Sequence, residues 1–420
     1  MKQDEKSIQL FASWLPDEPM IGMLFCSVSR GSQIYSFEFA DSWLSSHSDI
    51  ILDPDLYNSR GRQFVPSDKK IFGFLSDCAP DRWGRTLLKR KEEILAKNEN
   101  RAPVPLYEID YLLGVNDETR MGGLRFKNAG ENDFIATDSY LSVPPIESLR
   151  KLEQASLKFE KSEDPYEEKW LFMLLEPGSS LGGARPKATV KDTDGSLWVA
   201  KFPSKHDECD TGAWEATVNS LAKKCGLHCT ETGIKKFTEN GSTFLSKRFD
   251  RIQTGGKMHR LHYASAMTLL SKTDGANASD GTSYLDIADF IKSNSVHPKE
   301  DLRELWKRIL FNVLVSNTDD HLRNHGFLLT ERGWHLSPLF DVNPNPDGRF
   351  LSLNITENDN TKSVDLLLET AKYYGLKKDE AALESEKMQK IIAENWRQEA
   401  HRNEIPEKEI ALTERAFKLS

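Results

Sequence analysis

The chain has 420 residues, of which 38% are hydrophobic and 10% aromatic, and its formal net charge is −9. This length and composition predict a globular protein of two or three domains, or one large two-lobed domain. The acidic balance argues against broad binding of nucleic-acid phosphates, but leaves room for a local basic patch. Its apolar runs fall short of the roughly 20 residues that a membrane-spanning helix needs. The charged N-terminal stretch lacks the apolar core of a secretory signal, so we expect a cytoplasmic protein.

The N-terminal third is predicted to be a small α+β domain. Residues 1–140 mix short strand-like runs with Gly and Pro punctuation and a helix that holds Pro80 in its first turn. Helical sequence follows at 141–176, and a Gly/Ser-rich interruption at 178–183 marks a hinge or boundary. Residues 187–202 (KATVKDTDGSLWVAKF) alternate as strand, DTDG turn and strand, which predicts a β-hairpin.

The rest of the chain is predicted to be largely helical. The stretch TGAWEATVNSLAKKCG predicts an amphipathic helix that ends at Gly226, with Glu215 at the edge of its apolar stripe. Two strand-like pieces follow, beyond which the chain turns mostly helical, and helices continue from residue 361 to Ser420. In DLRELWKRILFNVLV, apolar residues recur at helical spacing, so this helix should present the loop after it from a packed support. We therefore divide the chain into 1–140, 141–250 and 251–420.

That loop, SNTDDHLRNHGF at 316–327, crowds two carboxylates, two imidazoles, a guanidinium and two amides together. Asn324 follows Asp319 by five positions, and a predicted hairpin then leads to Asp341. Phosphoryl transfer needs a carboxylate that accepts the proton of the attacking hydroxyl, and oxygen ligands for Mg²⁺. An Asp, an Asn five positions later, a hairpin and another Asp supply these groups in the order that protein kinases use. The plain alternative is that these Asp and Asn residues only cap a helix and close turns.

Three upstream features help to decide between these interpretations. GSSLGGARPK at 178–187 is a Gly-rich loop that leads into a strand and is suited to binding phosphates. Lys201 ends a strand in LWVAKF, and Glu215 on the next helix could pair with it. Each feature has an ordinary alternative: a flexible turn, an edge-strand lysine or a solvated glutamate. Their order along the chain favours a kinase-type phosphotransferase.

These motifs resemble those of HipA-type serine/threonine kinases, the toxins of type II HipBA toxin–antitoxin systems. The similar blocks cover most of the chain: FGFLSDCAPDRWGR, MGGLRF, SSLGGARPK, VAKF, FLSKRFDR, NTDDHLRNHGF and SPLFDV. The resemblance implies an α+β, two-lobed protein-kinase-like fold. Its parts would be a small α+β N-terminal subdomain in 1–140, a region like a kinase N-lobe in 141–250 and a mostly helical C-terminal lobe in 251–420.

The resemblance also implies roles for individual residues. Asp319 would be the catalytic aspartate, Asn324 and Asp341 would bind Mg²⁺, and Lys201 would bind the ATP phosphates. The hinge beside the adenine would be formed by Lys247, Arg248 and Phe249. Further residues would line the nucleotide: Gly182, Gly183, Ala184, Arg185, Pro186, Lys187, Glu215, His321, Leu322, Arg323 and Phe340.

Two positions raise questions of their own. Ser180, or Ser179 beside it, would be autophosphorylated, which would silence the kinase because the added charge repels the ATP phosphates. Asp320 stands where the family often has a small residue, and would add either a metal ligand or a local repulsion.

The leading hypothesis is a Mg·ATP-dependent protein serine/threonine kinase that acts as a growth-inhibiting toxin. By resemblance, a small DNA-binding antitoxin would restrain it and make most of the contacts to operator DNA, and the target would be a translation-related protein such as an aminoacyl-tRNA synthetase. Two alternatives stay open. One is a small-molecule kinase, since antibiotic and choline kinases share the D-x-x-x-x-N motif, and the other is a non-catalytic corepressor.

Overall fold

The computed structural model describes residues 5–29, 32–137, 143–161, 173–175, 183, 185–330 and 333–418. The chain forms two compact units: Met1–Lys205 with Asp250–Ala264, and His206–Phe249 with Ser265–Ser420. The three-part division predicted from the sequence stays a prediction. Within the described ranges, every helix is too short or too polar to cross a bilayer.

The strands and helices are numbered in chain order. The strands are β1 (Lys6–Ala12), β2 (Met20–Ser29), β3 (Ser32–Phe39), β4 (Gln63–Phe64), β5 (Leu124–Asn128), β6 (Lys187–Lys191), β7 (Leu197–Lys201), β8 (Thr232–Thr238), β9 (Gly241–Lys247), β10 (Arg251–Thr254), β11 (Lys257–Arg260), β12 (His262–Ser265), β13 (Gly326–Thr330) and β14 (Gly333–Leu336). The α-helices are α1 (Asp41–Ser46), α2 (Gly73–Ser76), α3 (Arg82–Asn98), α4 (Glu108–Leu113), α5 (Leu149–Lys161), α6 (Thr211–Lys224), α7 (Ala266–Leu269), α8 (Tyr284–Asn294), α9 (Pro298–Val315), α10 (Val364–Thr370), α11 (Lys378–Arg402) and α12 (Glu407–Thr413).

An antiparallel five-stranded sheet organises the N-terminal part of the first unit, in the order β4-β3-β2-β1-β5. Ile8, Leu10 and Ala12 alternate towards the buried face of β1, as a half-buried strand requires. The predicted position of Pro80 inside helix α3 is wrong, because the helix begins at Arg82. Asp81 is its N-cap and accepts a hydrogen bond from the backbone N–H of Gly84, a group that would otherwise lack an acceptor.

Residues 250–264 join the first unit through a buried ion pair. The carboxylate of Asp250 accepts hydrogen bonds from Arg251 Nη1 (2.7 Å) and from the backbone N–H of Gly122 (2.8 Å). Arg251 also donates to the carbonyl oxygens of Gly122 (3.1 Å) and Arg120 (2.7 Å). A buried charge of this kind is tolerated only when it is paired and hydrogen-bonded, so these contacts fix the segment in place.

A buried histidine completes this junction. The ring of His262 stacks on Trp14 with centroids 4.5 Å apart and an interplanar angle of 18°. Gly123, in the MGGLRF motif, permits the stack, since a Cβ there would lie 2.7 Å from the Trp14 ring. Burial lowers the pKa of His262 from its ordinary value of 6.5 to about 3.

We predict that His262 makes the fold sensitive to acid. Between its unfolded pKa of 6.5 and its folded pKa of about 3, the unfolded chain binds the additional proton, so stability is lost as the pH falls through this window. From neutral pH to about pH 4.5, the free energy of unfolding should fall by about 3 kcal/mol through this residue. Urea denaturation at both pH values measures the loss, which His262→Phe should remove. His259→Phe, at an exposed position on β11, should keep the dependence of the wild type. An equal loss in His262→Phe and wild type would contradict the prediction.

In the second unit, a buried helix supports the catalytic-type loop. Leu305, Trp306, Ile309 and Leu310 on α9 are fully buried, as their helical spacing predicted. Strands β13 and β14 then pair as the predicted antiparallel hairpin. The predicted helix with Glu215 is α6, and the hairpin predicted at 187–202 is β6–β7 in the first unit. These local predictions are confirmed.

Candidate active site

The candidate site begins where α9 ends. Ser316 caps the helix in the left-handed conformation, with φ of 55°, and so turns the chain sharply out of the helix. Beyond it, Asn317 Nδ2 donates to Asn312 Oδ1 on the last turns of the helix (3.1 Å). The loop is therefore held against its own supporting helix from its first residues.

Asp320 anchors the loop from beneath. Its Oδ2 accepts hydrogen bonds from Asn312 Nδ2 (2.7 Å), Tyr284 Oη (2.9 Å) and His325 Nε2 (2.9 Å). Since a carboxylate can only accept, His325 must carry its proton on Nε2. Asp320 and its three donor residues are all buried, so these bonds form where water does not compete.

The environment of Asp320 favours its ionised form. Burial by itself would raise its pKa, but the contact with His325 and the hydrogen bonds from His325 and Tyr284 bring it below the ordinary value. The side chain is thus an ionised, hydrogen-bonded anchor. Its Oδ2 is engaged by these three donors, and a metal-ligand role for Asp320 stays a prediction. Asp320 also contributes to raising the pKa of Asp319, in the direction of the predicted local repulsion.

Asp319, which directly precedes Asp320 in the sequence, is exposed as a whole residue, although its carboxyl group is partly shielded from water. Partial burial of its carboxyl is the largest influence on its pKa and raises it. His321 acts in the opposite direction, while Asp341 and Asp320 raise the pKa further. The effect of Asp341 means that these two acids, separated by a hairpin in the sequence, lie close enough to repel each other.

Asn324 and Asp341 complete the group of oxygen-bearing side chains at the candidate site. Asn324 Nδ2 donates to the carbonyl oxygen of Asp319 (3.0 Å), which leaves its Oδ1 as the atom suited to a metal. Asp341 adopts a left-handed backbone, with φ of 57°, a conformation that costs energy in a residue other than Gly. Two mutually repelling carboxylates and an oriented amide oxygen fit a hard divalent cation such as Mg²⁺, which prefers oxygen ligands.

Several predicted nucleotide-lining residues lie in the same unit. The rings of Phe249 and Phe340 are 5.5 Å apart, with an interplanar angle of 36°. Lys247 pairs with Glu231 through its side chain (3.4 Å) and also donates its backbone N–H to that residue's carbonyl oxygen (2.9 Å). Arg248 is buried. A hinge role for residues 247–249 stays a prediction.

The other loop residues differ in their surroundings. Leu322 is buried, and Arg323 points to Asp274 with a separation of 3.5 Å. His321 donates its backbone N–H to the Asp319 carbonyl (3.0 Å), and its Nδ1 has no hydrogen-bond partner in the described part of the chain.

The first unit carries the two lysines of the β6–β7 hairpin, Lys187 and Lys201, that were predicted to lie at the nucleotide. Lys187 and Lys201 are directly opposite each other in the β6–β7 pair, so their side chains share one face of the hairpin. Lys187 is buried and lies 3.5 Å from the carboxylate of Asp81. Glu215 is buried on α6 of the second unit, and its pairing with Lys201 stays a prediction.

Only part of the Gly-rich loop is described. Arg185 Nη2 donates to the carbonyl of Phe202 (3.3 Å), and Phe202 donates its N–H to the carbonyl of Pro186 (2.9 Å). Gly183 has φ of 97°, a conformation that favours glycine. Four predicted site residues lie outside the described residues: Ser179, Ser180, Gly182 and Ala184.

A close contact beside Asp319 was not predicted. Nothing in the sequence marks Thr318 as a site residue, yet the segment after Asp341 packs tightly on it. Asn345 Nδ2 donates a hydrogen bond to Thr318 Oγ1 (2.8 Å), and Ser352 Oγ donates one to the Thr318 carbonyl oxygen (2.9 Å). A Cβ at Gly348 would lie 2.5 Å from Thr318 Oγ1 and 2.9 Å from its Cβ. Only glycine fits this approach.

We predict that Gly348→Ala impairs any chemistry at Asp319. The added methyl must push Thr318 and its neighbour aside, and a displacement near 1 Å lowers turnover by up to about 10²-fold. Steady-state phosphoryl transfer measures the effect, and Thr318→Ala in the same chain should recover part of it by removing the overlapping Oγ1. Gly233→Ala is the matched control, because its Cβ would make only an ordinary 3.8 Å contact with Leu245. Wild-type turnover in Gly348→Ala would contradict the prediction.

Comparisons with known proteins agree on one family. The model of the HipA-like C-terminal domain matches residues 179–402, more than half of the chain. A protein of Sinorhizobium fredii that is named as a kinase is 27% identical over 183 residues, 39% of this chain and 41% of that protein. The serine/threonine-protein kinase toxin HipA of Shewanella oneidensis is 25% identical over 266 residues, 56% of this chain and 59% of that protein. The chain thus spans about half of the length of these curated relatives.

A solved structure shows the fold. The complex of Shewanella oneidensis HipA with HipB and its operator DNA contains a chain that matches with a TM-score of 0.65 and 17% identity, over 98% of this chain and 95% of that one. The match confirms the predicted mixed α and β fold of the kinase-like HipA type.

Proposed function

We propose that this protein, which belongs to the HipA-like kinase family, is an ATP-dependent protein serine/threonine kinase. The observation that carries the proposal is the arrangement around Asp319. This acid is exposed, its carbonyl is bound by Asn324, and its pKa is raised in part by Asp341. An exposed acid beside a metal-suited pair is what phosphoryl transfer to a hydroxyl requires.

In the proposed reaction, Asp319 orients the acceptor hydroxyl and takes its proton as the hydroxyl oxygen forms a bond to the terminal phosphorus of ATP and ADP leaves. Asn324 and Asp341 would hold Mg²⁺, which when bound neutralises the charge of the phosphates. Asp320 keeps the loop in place through its buried hydrogen bonds. Lys201 and Lys187 are proposed to bind phosphate oxygens, because both are cations on one face of their hairpin.

The biological setting is proposed by analogy with relatives. One relative is named a HipA toxin, and a structural neighbour is bound to HipB and operator DNA. We propose that this chain is likewise a toxin restrained by a small DNA-binding antitoxin, with operator DNA contacted mainly through that partner. The net charge of −9 supports this division of roles. A translation-related protein such as an aminoacyl-tRNA synthetase is the proposed target, and Ser180 or Ser179 the proposed autophosphorylation site.

Intact-mass spectrometry of the full chain before and after incubation with Mg·ATP tests the proposal. We expect a gain of phosphate on the peptide that contains Ser179 and Ser180, together with transfer to a protein acceptor. Both should vanish in Asp319→Asn. Transfer only to small alcohols would instead indicate a small-molecule kinase. Absence of any transfer, with ATP and the antitoxin still bound, would indicate a corepressor.

A further inference from the structure

Residues close to the C-terminal end of the described chain contact two separate parts of the candidate site in the second unit. We define residues 403–417 as the C-terminal segment; it follows the match to the family model, which ends at residue 402. We propose that the C-terminal segment is a positioning element of the kinase, which holds helix α6 and the start of the catalytic loop in one fixed arrangement. The inference rests on the proposed function and assigns Phe417 as its central positioning residue.

The first set of contacts fastens α6 at two levels. Glu409 accepts a hydrogen bond from the backbone N–H of Asp210 (3.0 Å), the N-cap of the helix. About two turns further along the helix, Asn403 Nδ2 donates to Thr217 Oγ1 (2.8 Å), and Thr217 is fully buried. These bonds leave α6 little freedom to slide or rotate about its axis, and Glu215 lies between the two bonded positions.

The second set is an aromatic stack. Phe417 stacks on Trp396 of α11, with centroids 4.6 Å apart at 11°, and on Trp214 of α6, with centroids 6.1 Å apart at 30°. All three rings are buried. Because Trp214 directly precedes Glu215, the stack fixes the turn of α6 on which the proposed phosphate-site glutamate lies.

The third contact reaches the catalytic loop. Ser316, the residue that ends α9, donates its hydroxyl to the carbonyl of Ala416 (2.6 Å). The same hydroxyl accepts a hydrogen bond from Lys362 Nζ (2.6 Å), and the carbonyl of Ser316 accepts one from the N–H of Asn345 (3.0 Å). Ser316 therefore joins α9, the chain after Asp341 and the C-terminal segment.

Ala416 and Phe417 are consecutive, so the loop contact and the helix contact cannot move independently. A shift of this dipeptide would displace Ser316, three residues before Asp319, and Trp214, one residue before Glu215. None of these groups is proposed to touch the substrate. Loss of the stack should therefore lower the rate of the chemical step and leave nucleotide affinity largely intact.

The test compares three variants of the full chain. Phe417→Ala should lower kcat about tenfold or more, with little change in the KM for ATP. Phe417→Tyr keeps the ring and should retain wild-type kcat. Leu412→Ala, on the same segment but 56% exposed, is the matched control and should also retain it. Urea denaturation gives the folded fraction, so that kcat is expressed per folded molecule.

Hydrogen exchange of residues 211–224 and 316–325 provides a readout that needs no catalysis. We expect faster exchange in both segments of Phe417→Ala under conditions where the variant stays folded. Unchanged kcat per folded molecule, or exchange unchanged in either segment, would overturn the inference. If the wild type transfers no phosphate, the proposed function fails, and the exchange result alone then decides whether the segment couples α6 to the loop.

Discussion

Asp319→Asn should lower kcat for phosphoryl transfer by roughly 10²–10⁴-fold, the usual contribution of a general base. The amide keeps the size of the carboxylate but cannot accept the proton of the attacking hydroxyl. The hydrogen bond from Asn324 should survive, because it goes to the Asp319 backbone carbonyl. Nucleotide binding should therefore be little changed. Single-turnover transfer from labelled ATP and calorimetric titration of nucleotide measure the two quantities separately.

The same substitution should leave the fold at least as stable. Burial, Asp341 and Asp320 raise the pKa of Asp319, so in the metal-free chain its ionised form is disfavoured relative to the unfolded state. Replacing it with a neutral amide removes this cost at neutral pH, and the advantage should disappear at acid pH, where the wild-type carboxyl is protonated in both states. A stable but inactive variant is expected where a site gives up stability for function.

Asp289→Asn is the matched control, since that carboxylate is 75% exposed and pairs with Lys292 on the surface of α8. It should retain wild-type transfer. If Asp319→Asn transferred phosphate at the wild-type rate, Asp319 would not be the base. Toxicity that persists after transfer is lost would instead favour the corepressor alternative.

The parts of the fold that depend on neighbours in the chain were predictable. Helices α6 and α9 show one apolar stripe each, and hairpins β6–β7 and β13–β14 show alternation around turn residues, so local periodicity was enough. The spacing of Asp319 and Asn324 likewise identified the loop, because their relation is set within a few residues.

The parts that depend on distant packing were not predictable. Tyr284 lies 36 positions before Asp320 and has the pattern of an ordinary core residue on α8. Asp250 and Gly122 are 128 positions apart, so nothing local reveals that residues 250–264 belong to the first unit. Glycine is required at position 348 because the side chain of Thr318, which is distant in sequence, approaches it in space. A buried Asp beside an exposed one could have been suspected only from the doublet Asp319–Asp320.

Asp320→Ala should destabilise the second unit and inactivate the site together. Removing the carboxylate leaves Tyr284, Asn312 and His325 as buried donors without their acceptor. Breaking a buried, hydrogen-bonded charge in this way costs about 3–5 kcal/mol of unfolding free energy. Urea denaturation measures this loss. Phosphoryl transfer, assayed without urea and at low temperature, measures kcat of the protein that remains folded. Asp289→Ala, at the exposed surface, should change neither.

A double-mutant cycle with Tyr284→Phe separates the network from a simple cavity. Tyr284→Phe alone removes one donor and should cost about 1 kcal/mol. In the Asp320→Ala background the same hydroxyl is already without its acceptor, so its removal should be neutral or stabilising, giving a coupling energy of about 1 kcal/mol or more between the two residues. If the losses of unfolding free energy were additive, Tyr284 and Asp320 would not act together. The stabilising effect of Asp320 would then come from packing and not from this hydrogen bond. Coupling, with kcat lost in both single variants, would mean that the position of Asp319 depends on hydrogen bonds made beneath the loop.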